Sequence, residues 1–301
     1  MKAIQFDMPA KAGSVLKLAA ISDGHCDSPF FDEAAFLGVM KAIKAENRYV
    51  IINGDLFDAI LRTDKKRAEN HLMEKTDDQI NQKVKRMVAL LKPFQENILF
   101  IARGNHESSC IKFNGVDLID LTCEMLNAGS EHKIICGNYS NWIRLNWYNT
   151  QNKSAAHYDI FLHHGTGGQA PVSRGMIDFD RLASSVDADL ILTGHKHNAI
   201  VDYSHPLQKL TASGEFVLKN RIFVQTPSFQ VPRKLDQNDN FNEKFYTNQA
   251  MAGYASIDLT LKSSKNNHYR VVPDVKLVVK PEHTVGELAV ATLKKKIEKT
   301  R

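Results

Sequence analysis

Five apolar runs in this 301-residue chain each stop at a residue that can bind a metal or move a proton, and that recurrence constrains the fold more than any other feature. Residues 15–22 lead into Asp23-Gly24-His25, residues 49–53 into Gly54-Asp55-Leu56-Phe57-Asp58, and residues 99–102 into Arg103-Gly104-Asn105-His106-Glu107. Residues 158–162 then lead into His163-His164, and residues 190–193 into Gly194-His195-Lys196-His197. Runs this short, continuously apolar and bounded by glycine read as strands buried on both faces, the pattern of a parallel sheet. In α/β sheets, ligands gather beyond the carboxyl ends of the strands, where all of these residues fall. Asp23 and His25 sit two apart, as do His195 and His197, so an extended backbone puts each pair on one face, where both members can share a metal. His163 and His164 are adjacent and point oppositely, so only one of them can face the site.

The rest of the chain supplies helices and a second set of strands. Glu33–Ala45 reads as a helix capped by Asp32, with Ala35, Val39 and Ile43 towards the sheet. Residues 65–92 read as a charged helix or helix pair whose apolar positions Ile80, Val84, Met87, Val88 and Leu91 recur at helical spacing before Pro93. Shorter helices are expected over 115–128 and 180–186. Beyond His197 come β-rich runs at 200–203, 216–218, 221–225, 254–261 and 269–272, expected to form the second sheet of a sandwich. Residues 227–248 read as a long polar loop and residues 284–299 as a basic amphipathic helix, with no linker, so a single domain over 1–301 is expected.

No apolar run approaches membrane-spanning length and the first residues lack a signal-peptide layout, which points to a cytoplasmic protein with no membrane partner. The four cysteines, Cys26, Cys110, Cys123 and Cys136, form no C-x-x-C pair, which argues against a zinc ribbon or disulfide framework; Cys26 and Cys110, beside the motifs, are the two expected to be reactive. A net charge of +5 suits a polyanionic substrate.

In the order D-x-H, G-D-x-x-D, G-N-H-E, strand-terminal His and G-H-x-H, the motifs from Asp23 to His197 resemble those of the calcineurin-like metallophosphoesterases. The resemblance implies a four-layer α/β/β/α sandwich, two mixed sheets flanked by helices, around two divalent or trivalent transition-metal ions. Manganese is the first choice, with iron, zinc, nickel and cobalt behind it, because nitrogen and oxygen donors without thiolate suit these metals. It implies one metal on Asp23, His25, Asp55 and His197, and a second on Asp55, Asn105, His163 and His195, with Asp55 bridging. His163 is chosen over His164 because relatives with adjacent histidines use the first; His164 then lies behind the ligands or faces substrate. It further implies hydrolysis of a phosphate mono- or diester by a hydroxide held between the metals, with His106 as acid at the leaving oxygen. Asp58 would orient His106 and hold it protonated. Arg103 is placed as in protein serine/threonine phosphatases, where such an arginine clamps phosphate. Glu107 is expected to support its loop.

Two finer resemblances point to different substrates. Gly54-Asp55-Leu56-Phe57-Asp58 is similar to DNA-repair nucleases of the SbcD type, which makes nucleic acid the leading alternative, and Arg103-Gly104-Asn105-His106-Glu107 is similar to the protein phosphatases. A non-enzymatic scaffold ranks last, since every expected ligand and His106 are present. The sequence carries no indication of oligomeric state.

Overall fold

The computed structural model describes residues 1–59, 78–149, 153–168, 173, 175–211, 213–231, 252–263 and 269–279. The part of the first long helix at 65–77, most of the polar loop at 227–248 and the helix expected at 284–299 lie outside them.

The described strands are β1 (Lys2–Pro9), β2 (Val15–Ile21), β3 (Tyr49–Asn53), β4 (Ile98–Ala102), β5 (Ile135–Cys136), β6 (Ser140–Tyr148), β7 (Ser154–His163), β8 (Leu190–Thr193), β9 (Ile200–Asp202), β10 (Leu207–Leu210), β11 (Phe216–Lys219), β12 (Ile222–Gln225), β13 (Gly253–Ser263) and β14 (Tyr269–Val279). The helices are α1 (Glu33–Ala45), α2 (Gln79–Leu91), α3 (Asn105–Asn114), α4 (Leu118–Asn127) and α5 (Met176–Ser185).

Two six-stranded mixed sheets form, in the orders β14-β13-β2-β3-β4-β5 and β1-β6-β7-β8-β12-β9, while β10 and β11 make a separate hairpin. β2, β3, β4 and β5 run parallel, as do β7, β8 and β12. The strands beyond His197 therefore do not form a second sheet on their own. β9 and β12 extend the sheet that already holds β6, β7 and β8, whereas β13 and β14 return antiparallel to the edge of the first, beside β2.

Apolar alternation fills three layers. Leu18, Ile51 and Phe100 from one sheet meet Ile160, Leu162 and Leu192 from the other in the central core. On the outer face of the first sheet, Ile21, Val50 and Ile52 pack under α1, α2 and α4 through Phe36, Met87 and Leu126. On the outer face of the second, Phe161, Ile191 and Phe223 pack against Phe179 of α5. Helices, sheet, sheet and helix follow one another as the four expected layers. α1 starts where expected, with the Asp32 carboxylate accepting the Ala35 N–H at 2.9 Å. None of the described helices is long and apolar enough to cross a membrane.

Candidate metal centre

The loops after β2 and β3, and those after β7 and β8, are stitched together in pairs by the backbone. Asp23 and His25 donate their N–H groups to the carbonyls of Gly54 and Asp55, both at 3.0 Å, and Gly194 donates to the His164 carbonyl at 2.8 Å. The His195 N–H reaches both Asp23 carboxylate oxygens, at 3.0 and 2.9 Å. Such close approach excludes side chains: a Cβ on Gly104 would lie 2.1 Å from Asp55 Oδ1. Asp23, His25, Asp55, His195 and His197 all hold φ between 44° and 68°, and among the described residues only Asn47 and Ala59 share that region outside glycine. Left-handed backbone costs roughly 1–2 kcal/mol per residue, and here it turns ligand side chains from separate strands to one point.

Three overlapping groups of side chains bring their donor atoms within 4.8 Å of one another: Asp23, His25 and His197; His25, Asp55 and His106; and Asp55, His164 and His195. Asp23 and Asp55 are buried. His197 Nε2 lies 3.3 Å from Asp23 Oδ1, and His164 Nε2 lies 3.0 Å from Asp55 Oδ2. The rings are aimed from behind. His25 Nδ1 faces Asp58 Oδ1 at 3.2 Å, His164 Nδ1 donates to the Asn53 carbonyl at 2.8 Å, and His195 Nε2 donates to the Gly167 carbonyl at 2.9 Å. One ring nitrogen fixed on an oxygen leaves the other as a lone-pair donor, the arrangement of metal-ligating histidines.

The residues fit a bound cation. Asn105 Oδ1 is a buried atom with no hydrogen-bond partner among the described residues, which is costly unless something else satisfies it. Nitrogen and oxygen donors without thiolate suit transition metals over calcium.

Protonation is arranged to match. Burial alone would raise the Asp55 pKa, but the charges of His164 and His106 hold its carboxyl well below the usual carboxylate range. Burial likewise opposes the lowering of Asp23, where His197 and His164 prevail. For the imidazoles burial disfavours the cation, yet Asp58, Asp55 and Asp23 push His25 up to about 9. Asp55, Asp23 and the Asn53 carbonyl likewise push His164 up to about 10.

Several sequence expectations need correction. His164, not His163, enters the cluster: its side chain shares the parity of Ile160 and Leu162, which face the central core, whereas His163 follows Phe161 outward and bonds Ser140 Oγ at 2.8 Å. His164 is also fully buried, so it does not face substrate. Arg103 is not poised to clamp phosphate. Its Nη1 bonds the Gly137 carbonyl at 2.9 Å and Asn138 at 2.6 Å, while Nη2 pairs with Asp117 at 2.5 Å and Asp120 at 2.8 Å. Cys26 and Cys110 are buried, and burial with nearby acids raises both thiols, Cys110 to about 11, so neither is a reactive thiolate. Gly104-Asn105-His106-Glu107 is the start of helix α3 rather than a loop, with Glu107 reaching back to the N–H groups of Gly104, Asp55 and Phe57 at 2.8, 3.1 and 2.9 Å. Its expected supporting role holds; burial and then Asp55 push it up to about 7.

Sequence reasoning also passed over Lys196. Its buried ammonium gathers the carbonyls of Thr166, Gly167 and Gly168, the last two at 2.9 and 2.8 Å, and so presents the Gly167 oxygen to His195. Its place between two histidines in G-H-K-H was the available signal. The glycine loop thus turns carbonyls towards a lysine here.

A family model described as calcineurin-like phosphoesterase matches residues 16–199. Among solved structures, Vps29 of Chaetomium thermophilum is 11% identical with a TM-score of 0.33, covering 89% of this chain and 98% of its own. GAP50, the anchor in the inner membrane complex of Plasmodium, is 11% identical with a TM-score of 0.40, covering 92% and 93%. No curated protein sequence matches the chain.

Two outcomes follow from this geometry. His164→Ala should remove bound metal measured by elemental analysis, and His163→Ala should leave it; the reverse would restore the first histidine as ligand. Because His25 is raised to about 9 and His164 to about 10, metal binding to these rings at pH 7 should release protons, and below those values affinity should fall about tenfold for each unit by which pH is lowered, for each proton displaced. Calorimetry of manganese binding in buffers of different ionisation enthalpy measures the release, and none at pH 7 would mean the rings are neutral beforehand.

Proposed function

The chain belongs to the calcineurin-like phosphoesterases, and from that premise we propose that it is a dinuclear metal-dependent hydrolase of phosphate mono- or diesters. The observation that supports this best is the convergence of Asp23, His25, Asp55, His164, His195 and His197 at the strand ends, together with the buried and unpartnered Oδ1 of Asn105. Asp23, His25, Asp55 and His197 would hold one ion, and Asp55, Asn105, His164 and His195 the other, with manganese the first candidate. Bound there, the two ions would supply positive charge to the phosphoryl oxygens and acidify a shared water.

The chain's own residues do the rest. His106 Nδ1 donates to the Asp58 carbonyl at 2.5 Å, and its Nε2 lies 3.9 Å from Asp55 Oδ2; when the ring carries its second proton, Nε2–H is the group that gives a proton to the leaving oxygen and Nδ1–H stays on the carbonyl. As water oxygen bonds to phosphorus and the ester P–O bond breaks, that proton neutralises the departing alkoxide. Asp58 also stands 3.4 Å from His106 Nδ1 through its carboxylate, so one residue steadies both His25 and His106. With Arg103 tied to Asp117 and Asp120, the feature behind the protein-phosphatase likeness is a structural one.

Hydrolysis of p-nitrophenyl phosphate and bis(p-nitrophenyl) phosphate by metal-stripped protein reloaded with manganese tests this reading. Turnover that depends on added metal is expected, and His106→Ala should lower kcat by about 10²- to 10⁴-fold with metal content unchanged. No hydrolysis of either ester by protein carrying two metals would contradict it.

A further inference from the structure

Outside the ligands and His106, the largely covered carboxylate of Asp27 has no role in the chemistry so far. Asp27 lies two residues beyond His25, and both its oxygens are used: Oδ1 accepts the Asp58 N–H at 2.5 Å, while Oδ2 accepts the Ala59 N–H at 3.2 Å and the Lys83 ammonium at 2.6 Å. Its side chain is 6% exposed and that of Lys83 15%, so the pair is shielded from water. The peptide that Asp27 grips is the one on which the neighbouring groups depend. Asp58 faces His25 with its carboxylate and His106 with its carbonyl and carboxylate, and Ala59 holds a left-handed φ of 52°. An alanine in that region is strained by roughly 1–2 kcal/mol and needs outside support to stay there. Two N–H groups clamped by one carboxylate provide that support.

We propose that Asp27, neutralised by Lys83 of α2, is a positioning residue for His106: it fixes the Asp58–Ala59 turn so that the Asp58 carbonyl holds His106 Nδ1 and aims Nε2 at the leaving oxygen. This rests on the phosphoesterase reading above for its kinetic consequence, though not for its geometric one. Lys83 makes the grip sensitive to the seating of α2, whose Val84, Met87 and Leu91 are packed in the outer core. Removing a partner that orients a working side chain costs about 10- to 100-fold.

The test compares Asp27→Ala and Lys83→Met with His106→Ala at saturating manganese, on p-nitrophenyl phosphate and on phenyl phosphate, whose leaving group needs the proton more. Asp27→Ala should lower kcat about 10- to 100-fold, with the larger loss on phenyl phosphate and two metals still bound. Combined with His106→Ala it should cost no more than about twofold beyond His106→Ala alone. Lys83→Met should give a smaller loss of the same kind, restored by Lys83→Arg; if the alanine variant does not fold, Asp27→Asn takes its place. In the metal-free protein, the NMR signal of the His106 Nδ1–H should shift in Asp27→Ala. An unchanged kcat, equal losses on the two esters, losses that multiply with those of His106→Ala, or an unmoved His106 signal would each overturn the proposal. If His106→Ala itself leaves hydrolysis intact, the phosphoesterase mechanism fails instead, and the NMR signal alone decides the role of Asp27.

Discussion

Two carboxylates, Asp23 and Asp55, are held buried at the carboxyl ends of adjacent parallel strands, and the rest of the site is arranged around the cost of keeping them there. A buried anion without compensation is expensive, and two close together are worse. Without metal the chain meets that cost with the two imidazoles that these carboxylates hold protonated: His25 and His164 face both Asp23 and Asp55. The same rings, once they give up their protons, are the donors a transition metal requires. The cluster is thus a set of bases occupied by protons that metal ions can replace, which links affinity to pH.

Bringing those side chains together strains the backbone at the strand ends. Five of the candidate ligands sit in left-handed conformations, and Gly104 is packed against Asp55 too closely for any side chain. The strain is local, and what resists it is specific. Cross-loop hydrogen bonds hold Asp23, His25 and His195, the Glu107 carboxylate holds three N–H groups around Asp55, and Lys196 gathers the carbonyls that aim His195. The sandwich supplies rigid strands on which such strain can be kept, while the polar residues near the loops set its direction.

Much of this was legible in the chain. Apolar runs closing on Asp, Asn or His located the strands and the site, because buried parallel strands leave a continuous hydrophobic signature and their ends collect polar residues. The same continuity hid the parity of β7: with core on both faces, Phe161 and Leu162 look alike, and whether His163 or His164 faces the carboxylates depends on which layer each strand face meets. Arg103 could not be read either, since its partners Asp117 and Asp120 become neighbours only when α4 folds over β4 and β5. Cys26 and Cys110 stand beside motif residues in sequence yet point into the apolar layer under the helices. β13 and β14 rejoin the first sheet across the whole length of the second, a pairing that local pattern does not encode.

The proposed function depends most on Asp55, the carboxylate shared by both proposed ion sites. Elemental analysis of manganese in the purified chain and in Asp55→Asn, after stripping and reloading, tests it most directly. The account predicts two equivalents in the unaltered chain and loss from both sites in the variant, because the amide removes the charge the two ions share. Two full equivalents retained in Asp55→Asn would contradict it.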